Sequence, residues 1–104
     1  MKKYYRVVIP PTAKASLRDI IEYIKKDSPA AAIKVSKKLI AIAKSLKERP
    51  ERFSKEEYLT DKEGNYHSVT QWHYKIVYKV LSDEVVVLRF IHTSRDPELI
   101  KKME

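Results

Sequence analysis

The chain contains no cysteine, which excludes disulfide staples, thiolate-held zinc and a cysteine nucleophile. It has one glycine, Gly64, too few to build a glycine-rich phosphate loop. No apolar run approaches the ~20 residues that a membrane-spanning helix needs. The opening Met1-Lys2-Lys3-Tyr4-Tyr5-Arg6 has no signal-peptide cleavage pattern, so a cytoplasmic protein without a membrane partner is expected. Histidines are few, and His67, His73 and His92 lack both the spacing of a helical metal pair and a neighbouring acidic cluster. Neither a metal ion, a cofactor nor a small-molecule substrate is expected.

The residues present suit one domain spanning 1–104. Hydrophobic residues make up 43% and charged residues 35%, enough apolar material for a single core at this length. The net charge is +8, and it is unevenly spread. Residues 1–49 hold 13 basic and 4 acidic groups, residues 50–91 hold 6 and 7, and the remainder balances. The excess falls mostly on Lys34, Lys37, Lys38, Lys44, Lys47 and Arg49. A small basic protein is drawn to polyanions such as nucleic acid, a ribosome or an acidic partner segment. The same lysines also serve simply as a solvated helix face.

Hydrophobic periodicity sets the order of elements. Tyr4 to Ile9 is β-branched and aromatic, a strand stopped by Pro10-Pro11. With Thr12 as N-cap, Ala13, Leu17, Ile20, Ile21 and Ile24 trace one face of a helix. Ser28-Pro29 reads as an N-cap followed by proline at the first helical position. Ala32, Val35, Leu39, Ile42 and Leu46 then mark a second helix, which Lys47-Glu48-Arg49 close before Pro50. Residues 50–64 read as a loop with a short strand near Tyr58, and Tyr66 to Thr70 as a weakly patterned strand. Tyr74 to Leu81 and Val85 to Ile91 are strong strands, and Glu98 to Met103 a short helical piece.

A strand, a helical pair and three consecutive strands predict an α+β fold, β-α-α-β-β-β with a short final α. The helical hairpin covers one face of a mostly antiparallel twisted sheet. Alternation sends Ile76, Tyr78 and Val80 to one face and Lys75, Val77 and Lys79 to the other. It sets Val86, Leu88 and Phe90 opposite Arg89. The face away from the helices is then expected to stand partly open, presenting Lys75, Lys79 and Arg89, with His92 and Arg95 at its edge.

Those side chains suit a phosphodiester backbone. Lysine and arginine neutralise phosphate and stabilise the pentacovalent transition state of 2′-hydroxyl attack, while a histidine or tyrosine moves protons. Structural roles compete with this reading. Lys75 and Lys79 can solubilise a strand, His92 lies by alternation on the side of Phe90, and Arg95 can pair with the adjacent Asp96.

The stretch Trp72-His-Tyr-Lys-Ile-Val-Tyr-Lys-Val80, then Val85-Val-Val-Leu-Arg-Phe-Ile-His92 and Thr-Ser-Arg-Asp-Pro-Glu98, resembles the RelE/ParE family of bacterial toxins from type II toxin–antitoxin modules, also known as plasmid stabilisation proteins. The Asp19-Ile-Ile-Glu-Tyr-Ile24 helix and the Ser28-Pro29 break fit the same pattern. The resemblance implies a compact toxin held inactive by a cognate antitoxin. It also implies one of two targets: DNA gyrase for ParE-like members, or mRNA on the ribosome for RelE-like endoribonucleases. Lys75 and Arg95 match basic positions of the ribonuclease branch, with His92 as a candidate proton carrier and His67 or His73 as substitutes, and Lys75, Lys79, Arg89 and Arg95 are the candidate target-binding groups. Tyr66-His67-Ser68-Val69-Thr70 stands where RelE-like enzymes place lysines, and the His92-Thr-Ser-Arg95-Asp96 ending looks ParE-like. Gyrase inhibition is therefore the favoured expectation. The alternatives are ribosome-dependent mRNA cleavage and a basic nucleic-acid-binding domain without toxin activity.

Overall fold

Two consecutive prolines end the first strand and start the first helix. In the computed structural model, which describes residues 3–56, 59 and 64–93, β1 (Arg6–Val8) leads through Pro10 into α1 (Pro11–Asp27). The N-cap position is Pro10 and not Thr12, and no side chain caps the helix. Pro11 takes the first helical position because its missing N–H would have no intrahelical partner there. Lys25 and Lys26 occupy the last turn, where the helix dipole favours cations.

Ser28 separates the helices, its Oγ accepting the Ala31 amide at 3.1 Å, and Pro29 opens α2 (Pro29–Ser45). The chain then tightens through Leu46 to Glu48 and turns at Arg49, held at φ 42° and ψ 59°. A single turn of 3₁₀ helix (Pro50–Arg52) follows, and the Arg52 guanidinium donates back to the carbonyl oxygens of Glu48 and Arg49.

The remaining strands are β2 (Tyr66–Gln71), β3 (Tyr74–Val80) and β4 (Glu84–His92). Sheet order is β1-β4-β3-β2. The β2–β3 and β3–β4 pairs are antiparallel, and β1 lies parallel to β4 at the edge. The helical hairpin supplies the crossover that a parallel pair requires. The expected strand near Tyr58, the candidate Arg95 and the expected helical piece from Glu98 to Met103 lie outside the described residues.

Helices and sheet enclose the main core of Ala13, Ile20, Val35, Leu39, Ala43 and Leu46 against Ile76, Tyr78, Val80, Val85, Val87 and Phe90. Simple alternation fails on β4. Val77 pairs with Arg89 but Tyr78 pairs with Val87, so Leu88 is an extra residue in the ladder. This bulge sends Val85, Val87 and Phe90 to the helix face and leaves Leu88 packed on the other side. Beside it, Ser16 Oγ in α1 accepts the Phe90 amide at 3.0 Å, tying helix to strand.

The sheet's second face is less open than the strand pattern implies. Leu59, Tyr66, Val77 and Ile91 form a second buried cluster, joined by Leu88. The segment after the 3₁₀ turn runs along the β2 edge, with Ser68 N–H donating to Ser54 O at 3.0 Å and Glu56 N–H to Tyr66 O at 3.0 Å. An apolar strip on that face, alternating with the lysines, is what this segment covers.

Candidate functional site

Three of the expected cations lie on that second face. In register, Lys75 stands opposite Thr70 and Ile91, Lys79 opposite Tyr66 and Val86, and Arg89 opposite Val77. They differ in surroundings. Lys75 Nζ donates to Glu56 Oε1 at 2.9 Å, with the two side chains 14% and 0% exposed. This is a largely desolvated ion pair, in which each partner neutralises a charge that is costly to bury alone. Lys79 Nζ sits 5.3 Å from the centre of the Tyr66 ring, and Arg89 is half-buried. The Lys75–Glu56 pair borders a cleft of about 450 Å³ that also includes Ser54, Lys55, Ser68 and Thr70. The cleft joins the hydroxyls of Ser54, Ser68 and Thr70 to apolar Phe53 and Val69, and Lys75 at its border is matched by the Glu56 carboxylate.

The candidate proton carriers divide. His67 is buried and both its ring nitrogens are engaged, Nδ1 with Phe53 O and Nε2 with Asn65 Oδ1, each at 2.8 Å. Asn65 in turn donates to Glu51 at 2.9 Å, so this histidine pins the loop to β2. Tyr78 is fully buried, and its hydroxyl donates to Pro50 O at 2.5 Å. Burial pushes that phenol well above its ordinary value, so it stays protonated. His92 is half-buried and opposite Tyr74, edge-on to that ring at 5.4 Å, with His73 stacked on it at 6.1 Å. It lies on the helix side with Phe90, away from Lys75. The structure therefore groups Lys75, Lys79 and Arg89 on one face and sets His92 at the end of the other. Arg95 lies outside the described residues.

Sequence reasoning missed two groups. Glu56 carried no periodic signal, because its role depends on a residue 19 positions away. Trp72 follows β2 directly, and the sequence marks it as the single tryptophan and the start of the family-like stretch, with no role of its own. In the structure it is exposed at the β2–β3 turn with φ 56°, and Lys34 Nζ lies 5.6 Å from its ring centre.

Among the described residues no group of three or more histidine, aspartate or glutamate side chains is placed to hold a metal ion. Nor is any helix there long and apolar enough to cross a membrane.

Comparison with known proteins bears on this arrangement. A chain of the chromosomal ParDE toxin–antitoxin system from P. aeruginosa superposes with a TM-score of 0.70 at 18% identity, covering 88% of this chain and 98% of that one. A chain of a RelBE toxin–antitoxin complex from Mycobacterium tuberculosis gives 0.64 at 22% identity, over 89% and 95% of the two chains. At those identities the likeness establishes the fold. Comparison with curated protein sequences returned no match. The family model for the ParE toxin of the type II toxin–antitoxin system parDE matches residues 7–97, nearly the whole chain. This protein therefore belongs to the ParE toxin family, within the RelE/ParE fold that its two helices and mixed four-stranded sheet reproduce.

Proposed function

We propose that this chain is a toxin restrained by a cognate antitoxin, and that it acts by binding DNA gyrase and not by cutting RNA. The carrying observation is the Lys75–Glu56 ion pair. RNA cleavage asks Lys75 to meet phosphate, yet a buried carboxylate already neutralises it at 2.9 Å. Two further candidate proton carriers on β2 and β3, His67 and Tyr78, are tied into loop contacts. A non-enzymatic toxin needs no assembled acid–base group, only a surface. Membership of the ParE family supports the gyrase reading.

The antitoxin reading rests on family membership and on charge. The helices carry most of the positive excess, and an acidic or amphipathic segment laid along them as a helix or strand complements it. Co-expression with the product of the flanking small gene is expected to yield a complex, and separate elution would refute this.

Supercoiling by purified gyrase, with and without the toxin at micromolar concentration, tests the target. Lost supercoiling with accumulated cleaved DNA is expected. Unchanged gyrase together with mapped mRNA cuts in a translating extract, abolished by Lys75→Ala, Arg95→Ala or His92→Ala, would establish the ribosome-dependent endoribonuclease instead.

A further inference from the structure

The strongest feature outside that face is the tip of the β2–β3 hairpin. Its loop is Trp72-His73, and Trp72 has φ 56° while His73 does not share the positive φ. Glycine is the usual residue at such a position, and a bulky side chain there is a strained outlier of the kind that clusters at functional sites. The indole at this position stands at the surface: Trp72 is 45% exposed. His73 beside it is exposed and stacked on His92 at 6.1 Å with 16° between the rings, so a second flat ring is held in place at the same tip.

Charge surrounds this platform. Lys34 of α2 reaches to 5.6 Å from the Trp72 ring centre. From Lys34 the helix continues with exposed Lys37, Lys38 and Lys44, which at 100° per residue share one side over roughly 15 Å. All 17 residues of α2 lack an acidic side chain. Flat exposed rings beside a cationic track of one sign are the two components of a single-strand nucleic-acid site: aromatic faces stack on unpaired bases, and lysines follow the phosphates.

We infer that the Trp72–His73 tip and the α2 lysine stripe together bind single-stranded nucleic acid. Stacking and phosphate neutralisation do not read the sugar, so DNA and RNA strands bind alike, and a duplex, whose bases are already stacked, binds less well. This surface is separate from the Lys75 face and does not depend on which target the toxin poisons.

The single tryptophan makes the test direct. Titrating the 104-residue chain with an oligo-dT or oligo-U 12-mer at low salt is expected to quench Trp72 fluorescence saturably and to a similar extent. A labelled 12-mer followed by anisotropy is expected to bind roughly tenfold more weakly to Trp72→Ala, and to retain most affinity with Trp72→Phe. The logarithmic salt slope is expected near −2 to −3 for three or four lysine–phosphate contacts, and to flatten in Lys34→Gln/Lys38→Gln. Trp72 is exposed, so its replacement leaves the core intact, and circular dichroism checks the fold. Equal binding of duplex, heparin and 12-mer with Trp72→Ala unaffected would reduce the surface to bare charge and overturn the inference. Binding of an acidic peptide with none of either oligonucleotide would overturn it in favour of a protein partner.

Discussion

Replacing Lys75 with methionine is expected to be among the most damaging single changes outside the apolar core. The substitution keeps the length and apolar stem of the side chain and removes only the ammonium. It takes the ammonium away from Glu56, whose side chain is 0% exposed and whose Oε1 accepts from Lys75 at 2.9 Å. Removing one partner of a buried pair typically costs about 3–5 kcal/mol, far more than the ~1 kcal/mol or less of an exposed pair. Against a total stability of about 5–15 kcal/mol for a domain, that is a large share. At roughly 4–8 °C per kcal/mol in a domain of about this length, the melting temperature is expected to fall by at least about 12 °C. The double variant Glu56→Leu/Lys75→Met removes both charges and is expected to recover most of the loss, since apolar replacements of buried pairs are often neutral or stabilising. Urea and thermal denaturation followed by far-ultraviolet circular dichroism measure both variants. A Lys75→Met cost below about 1 kcal/mol, as for an exposed pair, or a double variant as unstable as the single, would refute the reasoning that a desolvated pair fastens the 53–56 segment against the sheet.

Tyr78 supplies a pH dependence. In the unfolded chain its phenol ionises near pH ~10, whereas burial raises it in the native state, so above that pH the unfolded state binds fewer protons and stability falls as pH rises, by up to about 1.4 kcal/mol per unit. Tyr78→Phe is expected to be less stable at neutral pH by about 1–2 kcal/mol, through loss of the bond to Pro50 O, and to close that gap in denaturation series above pH 10. Gly64 has φ 126°, and an added Cβ would stand 2.8 Å from the Tyr66 ring, so Gly64→Ala is expected to cost roughly 1–3 kcal/mol in urea denaturation. Arg49→Gly is expected to gain up to about 1 kcal/mol, because glycine adopts the left-handed conformation after α2 without a Cβ penalty; a lower melting temperature would show that the arginine side chain contributes more than its backbone costs.

Order and type of the elements were legible in the residues because the signals that set them are local. A 3.6-residue apolar period, Ser28-Pro29 between the helices and Pro10-Pro11 before them each act within a turn or two of chain, and the structure places α1 and α2 where they point. The β3 alternation likewise put Tyr78 and Lys75 on opposite faces. The family resemblance at Trp72 to Glu98 was carried by the same contiguous strands, and the match over residues 7–97 bears it out.

Tertiary structure decided the rest. Whether alternation survives along β4 depends on how β3 docks against it, and the extra residue Leu88 is set by that pairing. Whether Lys75 faces solvent or a carboxylate depends on where the 53–56 segment comes to lie, and its period-free sequence carries no local instruction. His67 became a loop pin only when Phe53 O and Asn65 converged on its ring, and Lys34 met Trp72 only once helix and hairpin packed together. Local propensity acts over a few residues, while burial and charge pairing are settled between segments remote in sequence. The chain alone thus determined which elements form and in what order, and packing determined which of its charged and aromatic side chains remain available to a partner.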